Sequence, residues 1–366
     1  MAYENIDIDE RPEAVEQLIA LQNGGRTIPT VLYSDGTHMI NPGPQELAAK
    51  LGLNVQAQST FYDAIVVGGG PAGLTAALYL AREDVSTLVV DRGALGGQAS
   101  ITEKLDNVPG FPEGIDGAEF ADRLARQTRR FGAEAVVAQE VTSIGLDPNG
   151  YNLVRTSMGG RYYSKALLLT VGSTYRRLDV PGEERFIGSG VHFCATCDGP
   201  FYTGKQVVVV GGGNSGVQEG IFLTKFADKV TILDQGNYLT ASPVLVERAQ
   251  GDPKIEVLNN TTVVEFNGKD RLDSVTLKDQ RTDRTWDLEA AGAFLFIGLT
   301  PNTAFLNDVV DLDDRGYIKT SRTLETNVPG VFAAGDSRVG STKQVASAAG
   351  EGTTAALMIR DYLSGR

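Results

Sequence analysis

The chain has 366 residues, of which 42% are apolar and 22% charged, so it is long enough for about two to three domains and apolar enough to build their cores. Its formal charge of −13 argues against nucleic acid or an anionic membrane as a main partner, because both demand a basic footprint. Two cysteines rule out a disulfide-stapled secreted scaffold, no apolar run reaches the roughly 18 residues of a membrane span, and the acidic residues 1–10 lack the apolar core of a signal peptide, so a cytoplasmic location is expected.

Residues 1–54 form a first block. Its pattern predicts a strand over 3–8 and a helix over 11–21 with Val15, Leu18 and Ile19 on one face. A strand over 27–33 is interrupted early by Pro29, a turn follows at Asp35-Gly36, and a short helix spans 44–51. The block is too small to be a comfortable domain alone. A Gln/Ser/Thr stretch over 56–60 reads as a linker. A buried strand over 63–67 then runs into Gly68, Gly69, Gly70, Pro71, Ala72 and Gly73, followed by a helix over 74–83 and a strand over 86–90 that ends in Asp91. The grammar returns later: a strand over 206–210, then Gly211, Gly212, Gly213, Asn214, Ser215 and Gly216, a helix over 217–226, and a strand over 229–233 ending in Asp234. The acid follows the first glycine at the same distance in both copies, 68 to 91 and 211 to 234, which marks an internal repeat.

Each G-x-G-x-x-G follows a strand, opens a helix and has its acid about 20 residues on, which is the context of a dinucleotide site. The first glycine makes the turn, the second admits a pyrophosphate to the backbone, and the third lets helix and strand pack closely. The helix N-terminus supplies free N–H groups and positive dipole for phosphate. In the second copy a 2′-phosphate would need a cationic reader, yet residues 235–247 contain no Lys or Arg and Asp234 places a carboxylate there. That site suits NADH better than NADPH, or has lost its nucleotide.

Cys194 and Cys197 form a C-x-x-C followed by Asp198. Two intervening residues let the sulfurs meet across one turn, so a reversible disulfide is sterically natural. Zinc normally takes four ligands, and the chain offers only these thiols with His38 and His192. Two inert buried thiols remain the plain alternative. Asp198 suits proton transfer to the pair or capping of the turn that begins there. A lone His192 reads as a packed or surface residue before it reads as a tuner of the pair.

The C-A-T-C-D-G motif between two dinucleotide folds resembles the low-molecular-weight thioredoxin reductases over about residues 60–366. The resemblance implies an α/β protein with two Rossmann-like domains of the FAD/NAD-linked reductase type: an FAD domain over 58–173 and 300–366, and an inserted NAD(P)-type domain over 174–299 carrying the cysteines. Flavin contacts would fall on Gly68, Gly70, Pro71, Ala72, Gly73, Asp91, Arg92, Gly96, Gly97, Gln98, Asn107 and Gly172, and on Gly335 and Asp336 of the second flavin motif. The family often carries Arg-Gln-Ala beside the ring; Lys343, Gln344 and Val345 stand in that place. The second nucleotide would meet Gly211, Gly213, Asn214, Ser215, Gly216 and Asp234, where the family's NADPH-binding arginines are absent. Cys197 would face the flavin, Cys194 would attack the substrate disulfide, Asp198 would move the proton, and segments near Tyr175 and Leu299 would hinge. No metal is expected.

The implied activity is flavin-dependent disulfide reduction of thioredoxin type, with a thioredoxin-like or glutaredoxin-like protein as substrate, a homodimer as the assembly, and NADH, NADPH or ferredoxin as donor. A small-molecule dithiol oxidase and a flavin-binding interaction protein without turnover are the rival readings. Residues 1–54 resemble a different family, the C-terminal half of a glutaredoxin or mycoredoxin, on residues 3–9, 23–31 and 35–36. That resemblance implies a partial thioredoxin-like segment with a cis Ile28–Pro29 bond. The family's first strand and C-x-x-C helix are missing, so the block cannot do dithiol chemistry, and it reads either as a structural appendage or as a docking surface.

Overall fold

The computed structural model describes Ile6, Ile8, residues 11–102, Leu105 and residues 107–365. The strand expected over 3–8 falls mostly outside them. The first block folds as a helix Pro12–Leu21, a two-stranded antiparallel sheet of Thr30–Leu32 and His38–Ile40, and a helix Pro44–Lys50. The predicted strand over 27–33 is shorter than its apolar pattern suggests. Its entry is taken up by the Gln22 side chain, which bonds both backbone groups of Thr27, and the Ile28–Pro29 bond is cis.

The body is organised around two sheets, the first mixed, with Asn152–Thr156 and Val141–Leu146 running antiparallel, and the second parallel. In the first, the strands run in the order Glu134–Val136, Thr87–Val90, Phe61–Val67, Arg161–Leu169, Asn152–Thr156 and Val141–Leu146, and Val331–Ala333 also pairs with Arg161–Leu169. Residues 64–67, 87–90 and 166–169 are buried throughout, as parallel strands covered on both faces must be. On one face the helices Pro71–Arg82 and Val345–Leu363 pack through Ala72, Ala76, Ala348 and Ala355, small residues that let the two backbones approach.

The second sheet orders Val191–His192, Gly292–Leu295, Gln206–Val210, Lys229–Leu233 and Ile255–Leu258, all parallel. The antiparallel sheet Thr261–Gly268, Leu272–Asp279 and Thr285–Glu289 covers one face through Val263, Phe266, Val275 and Leu277. The helix Asn214–Leu223 covers the other face through Val217 and Leu223. The chain crosses between the sheets twice, and the two crossings, Ser173–Tyr175 and Leu299–Pro301, pair antiparallel. Asn302 ties them further, donating to the Val171 carbonyl at 2.9 Å and accepting from Thr174 at 2.9 Å.

Both repeat helices begin earlier than their periodicity predicts, at Pro71 instead of 74 and at Asn214 instead of 217. The second half of each glycine loop is already the first helical turn, and Pro71 suits that position because its missing N–H has no helical partner to lose.

Candidate active site

Gly68 adopts φ +106° where the strand turns, and its α-carbon lies against the Thr170 carbonyl. Thr170 donates its hydroxyl to the Gly68 carbonyl at 2.7 Å, fixing the loop from the neighbouring strand. Gly73 packs on the Gly68 carbonyl with no room for a β-carbon, whereas a β-carbon on Gly70 would meet nothing. Asp91 accepts from the Gly69 N–H at 2.6 Å and from the Gly93 N–H at 2.7 Å, so the acid that ends the second strand also holds the loop.

These groups open on one cavity of about 900 Å³. It is lined by Gly68, Gly70, Pro71 and Ala72 of the loop, by Asp91, Arg92, Gly97, Gln98 and Asn107, by Gly172 at the crossing, and by Gly335, Asp336, Lys343, Gln344 and Val345 of the C-terminal motif. Gly73 and Gly96 shape the loops without lining it. Asn107 donates to the Gln344 side chain at 2.9 Å, joining two distant stretches of chain. The volume suits a large cofactor. Open space over Gly70 at a helix N-terminus offers a pyrophosphate seat. Ser173 and Gln139, both in the lining, keep buried side-chain oxygens without a protein partner. The residues present therefore fit FAD.

Asp336 is pushed up by burial against the opposing pull of the Lys343 ammonium, which burial pushes down. The Lys343 Nζ donates to the Asp336 carbonyl and lies 4.3 Å from the centre of the Tyr317 ring. The turn itself is clamped from behind: Glu351 accepts from the Gly335 N–H at 2.7 Å and pairs with Arg338 at 2.5 Å.

Cys194 and Cys197 are joined as a disulfide, with α-carbons 5.3 Å apart, and both line the same cavity. Cys197 is buried and Cys194 half-buried. Asp198, at the end of the single turn Ala195–Asp198, is buried and does not line the cavity. Its carboxylate lies 3.5 Å from His192 Nδ1, and His192 Nε2 lies 2.6 Å from the Tyr202 hydroxyl. If the hydroxyl donates to Nε2, the ring proton sits on Nδ1 and points at Asp198, which satisfies all three groups. Tyr175 stacks on Phe193 at 4.8 Å, and its phenol is pushed up to about 12, first by burial and then by the carboxylates of Asp336, Asp198 and Glu219.

The second glycine loop repeats the first. Gly216 packs on the Gly211 carbonyl, and Asp234 accepts from the Gly236 N–H at 2.6 Å while its other oxygen lies against Gly212. Asn214 accepts from the Ser242 N–H at 2.7 Å, and Gly213 and Ser215 complete the loop. None of Gly211, Gly213, Asn214, Ser215, Gly216 and Asp234 lines the cavity that holds the disulfide. On the same helix Glu219 carries a buried carboxylate oxygen without a partner, and burial pushes its carboxyl up. No motif marks Glu219, Ser173 or Tyr202. Among the described residues no helix is long and apolar enough to cross a membrane.

The profile of the family described as "Pyridine nucleotide-disulphide oxidoreductase" matches residues 62–352. The thioredoxin reductase of Treponema pallidum (strain Nichols) is 40% identical over 304 residues, which cover 83% of this chain and 98% of that protein. The thioredoxin reductase of Bacillus subtilis (strain 168) is 39% identical over 310 residues, 84% of this chain and 96% of its own. Among solved structures, thioredoxin reductase from Streptococcus pyogenes MGAS5005 matches with a TM-score of 0.79 at 35% identity, over 84% of this chain and 99% of that one. The Lactococcus lactis thioredoxin reductase, described as an FR conformation, matches with a TM-score of 0.58 at 34% identity, over 83% and 100%. Identity at this level along nearly the whole length of the relatives goes well beyond a shared fold, and the chain belongs to the low-molecular-weight thioredoxin reductase family of FAD-dependent, NAD(P)H-linked disulfide oxidoreductases.

Proposed function

We propose that this enzyme passes electrons from NADH through FAD and the Cys194–Cys197 pair to the disulfide of a thioredoxin-like or glutaredoxin-like protein. The observation that carries this reading is the disulfide lying in the wall of the flavin-sized cavity. FAD, when bound, supplies the two-electron exchange between nicotinamide and disulfide. The greater exposure of Cys194 supports it as the sulfur that attacks the substrate, and the burial of Cys197 supports it as the one that faces the cofactor. A Cys194 thiolate attacks the substrate disulfide, and the mixed disulfide forms as one substrate thiolate leaves and takes up a proton. Cys197 then attacks Cys194, releasing the second substrate thiolate and restoring the pair. Asp198 is the adjacent group that holds and returns a proton.

The domain boundaries we propose are 58–173 with 300–366 for the FAD domain and 174–299 for the inserted one. The nucleotide loop lies outside the disulfide's cavity, so the inserted half must turn about the paired crossings at Tyr175 and Leu299 to present nicotinamide. The lower superposition of the L. lactis structure, at nearly the same identity as the S. pyogenes one, supports a variable disposition of the halves. Asp234 and the absence of Lys or Arg over 235–247 favour NADH over NADPH. A homodimer and a cytoplasmic location complete the proposal.

Anaerobic titration of the purified protein tests it. NADH is expected to bleach the flavin band at least tenfold faster than NADPH. Equal bleaching overturns the role of Asp234. Bleaching by neither, with dithionite effective, overturns the nicotinamide donor and leaves ferredoxin or a small dithiol as the source.

A further inference from the structure

We infer that the N-terminal segment is a brace for the adenine side of the flavin site, a reading that rests on the cavity holding FAD. In a βαβ dinucleotide fold the end of the second strand meets the ribose and adenine. Here that end is Asp91, and Asp91, Arg92 and Gln139 line the cavity.

Behind this wall the chain from 54 to 58 is bonded to it three times. The Val137 N–H donates to the Asn54 carbonyl at 2.9 Å, and the Gln139 side-chain amide donates to the Val55 carbonyl at 2.5 Å. The Gln58 N–H donates to the Glu134 carboxylate at 2.8 Å. Ala48 of the helix Pro44–Lys50 and Val55 pack with Val137, Ala138 and Leu95.

Leu95 carries the contact to the phosphate loop. Its side chain lies against Gly69, so close that a β-carbon there would stand 2.5 Å from it, and the Gly96 N–H donates to the Gly69 carbonyl at 2.8 Å. The braced strip is bonded to the stretch that carries Leu95, Gln139 N–H to the Asp91 carbonyl at 2.9 Å and Ala138 N–H to the Gly93 carbonyl at 3.3 Å. Without the segment the Val137 N–H and the Gln139 amide lose these acceptors, and Leu95 and Ala138 lose an apolar cover.

The family profile starts at residue 62 and the relatives are matched over nearly their full length by 83–84% of this chain, so a chain starting at residue 58 is a fair folding unit. The experiment titrates flavin-free protein with FAD by fluorescence quenching, comparing the full chain with a chain of residues 58–366, each with and without Leu95→Ala. Truncation is expected to weaken FAD binding about tenfold, the order of two lost buried hydrogen bonds. Leu95→Ala is expected to weaken the full chain but to add little to the truncated one, because both changes break one line of contact. Should truncation prevent folding, Ala48→Glu in the full chain is expected to weaken FAD binding to the same degree. Equal FAD affinity with and without the segment, or additive effects of truncation and Leu95→Ala, overturns the brace while leaving the flavin site intact. A full chain that binds no FAD overturns the underlying reading as well.

Discussion

Tyr202→Phe removes one oxygen from the centre of the buried cluster behind the disulfide. The hydroxyl lies 2.6 Å from His192 Nε2, and the His192 and Asp198 side chains are 4% and 7% exposed. Removing the donor leaves the Nε2 lone pair in a place water does not reach, which costs about 1–3 kcal/mol. The ring can escape by moving its proton to Nε2, but Nδ1 then turns a lone pair toward the Asp198 carboxylate 3.5 Å away. In the first case His192 is left with an unpaired nitrogen, and in the second Asp198, the group beside Cys197, loses its donor. The expected result is a lower urea midpoint for the oxidised protein, together with slower turnover of a protein disulfide and a displaced pH profile for that turnover. Anaerobic bleaching of the flavin by NADH is expected to stay unchanged, since Tyr202 lies outside the cofactor cavity. A Tyr202→Phe protein with native midpoint, turnover and pH profile would refute the assignment of His192 as the link between Tyr202 and Asp198.

Gly73→Ala drives a β-carbon into the Gly68 carbonyl and is expected to yield protein without the flavin absorbance band, while Gly216→Ala, which does the same at Gly211, should keep the band but lose its bleaching by NADH. Arg338→Ala strands the Glu351 carboxylate behind the Gly335 turn. With the side chains 18% and 13% exposed, the loss should be about 2–4 kcal/mol, just under that of a fully buried pair, read as a lower unfolding midpoint. Glu219→Gln tests the sign of a buried acid. Because burial pushes this carboxyl up, the folded protein keeps the proton after the unfolded chain has released it, so stability falls as pH rises from the ordinary carboxylate range through the raised value. The neutral variant should therefore gain stability over the native protein above that window and match it at pH 4, and a gain of the same size at both ends would contradict the cause.

The parallel strands were legible because valine-rich runs such as 206–210 and glycine loops at fixed offsets leave a signal within ten to twenty residues. The cysteine pair was legible for the same reason, since its chemistry needs two thiols one turn apart. Helix starts were not, because the residues that make the phosphate turn are also the loop's glycines. The antiparallel sheet over 261–289 left no reading, although Val263, Phe266, Val275 and Leu277 bury one face of it. His192, read as packed or surface, is indeed packed, but its partner Tyr202 lies in another turn that nothing in the sequence connects to it. Leu95 matters only through what distant parts of the chain bring against it.

The paired crossings have a consequence for biosynthesis. The helix Pro71–Arg82, which carries the first glycine loop, is covered by Val345–Leu363, made some 260 residues later. At about 5–20 residues per second, a nascent chain waits roughly 13 to 52 seconds with that alanine face uncovered. The second sheet, complete by Leu295, has all its strands by then and can fold first. The flavin pocket, which needs residues 335–348, closes only as the helix Val345–Leu363 leaves the ribosome. Cofactor capture thus follows the cysteine-bearing half, which can exist as a folded body before there is a flavin for it to face.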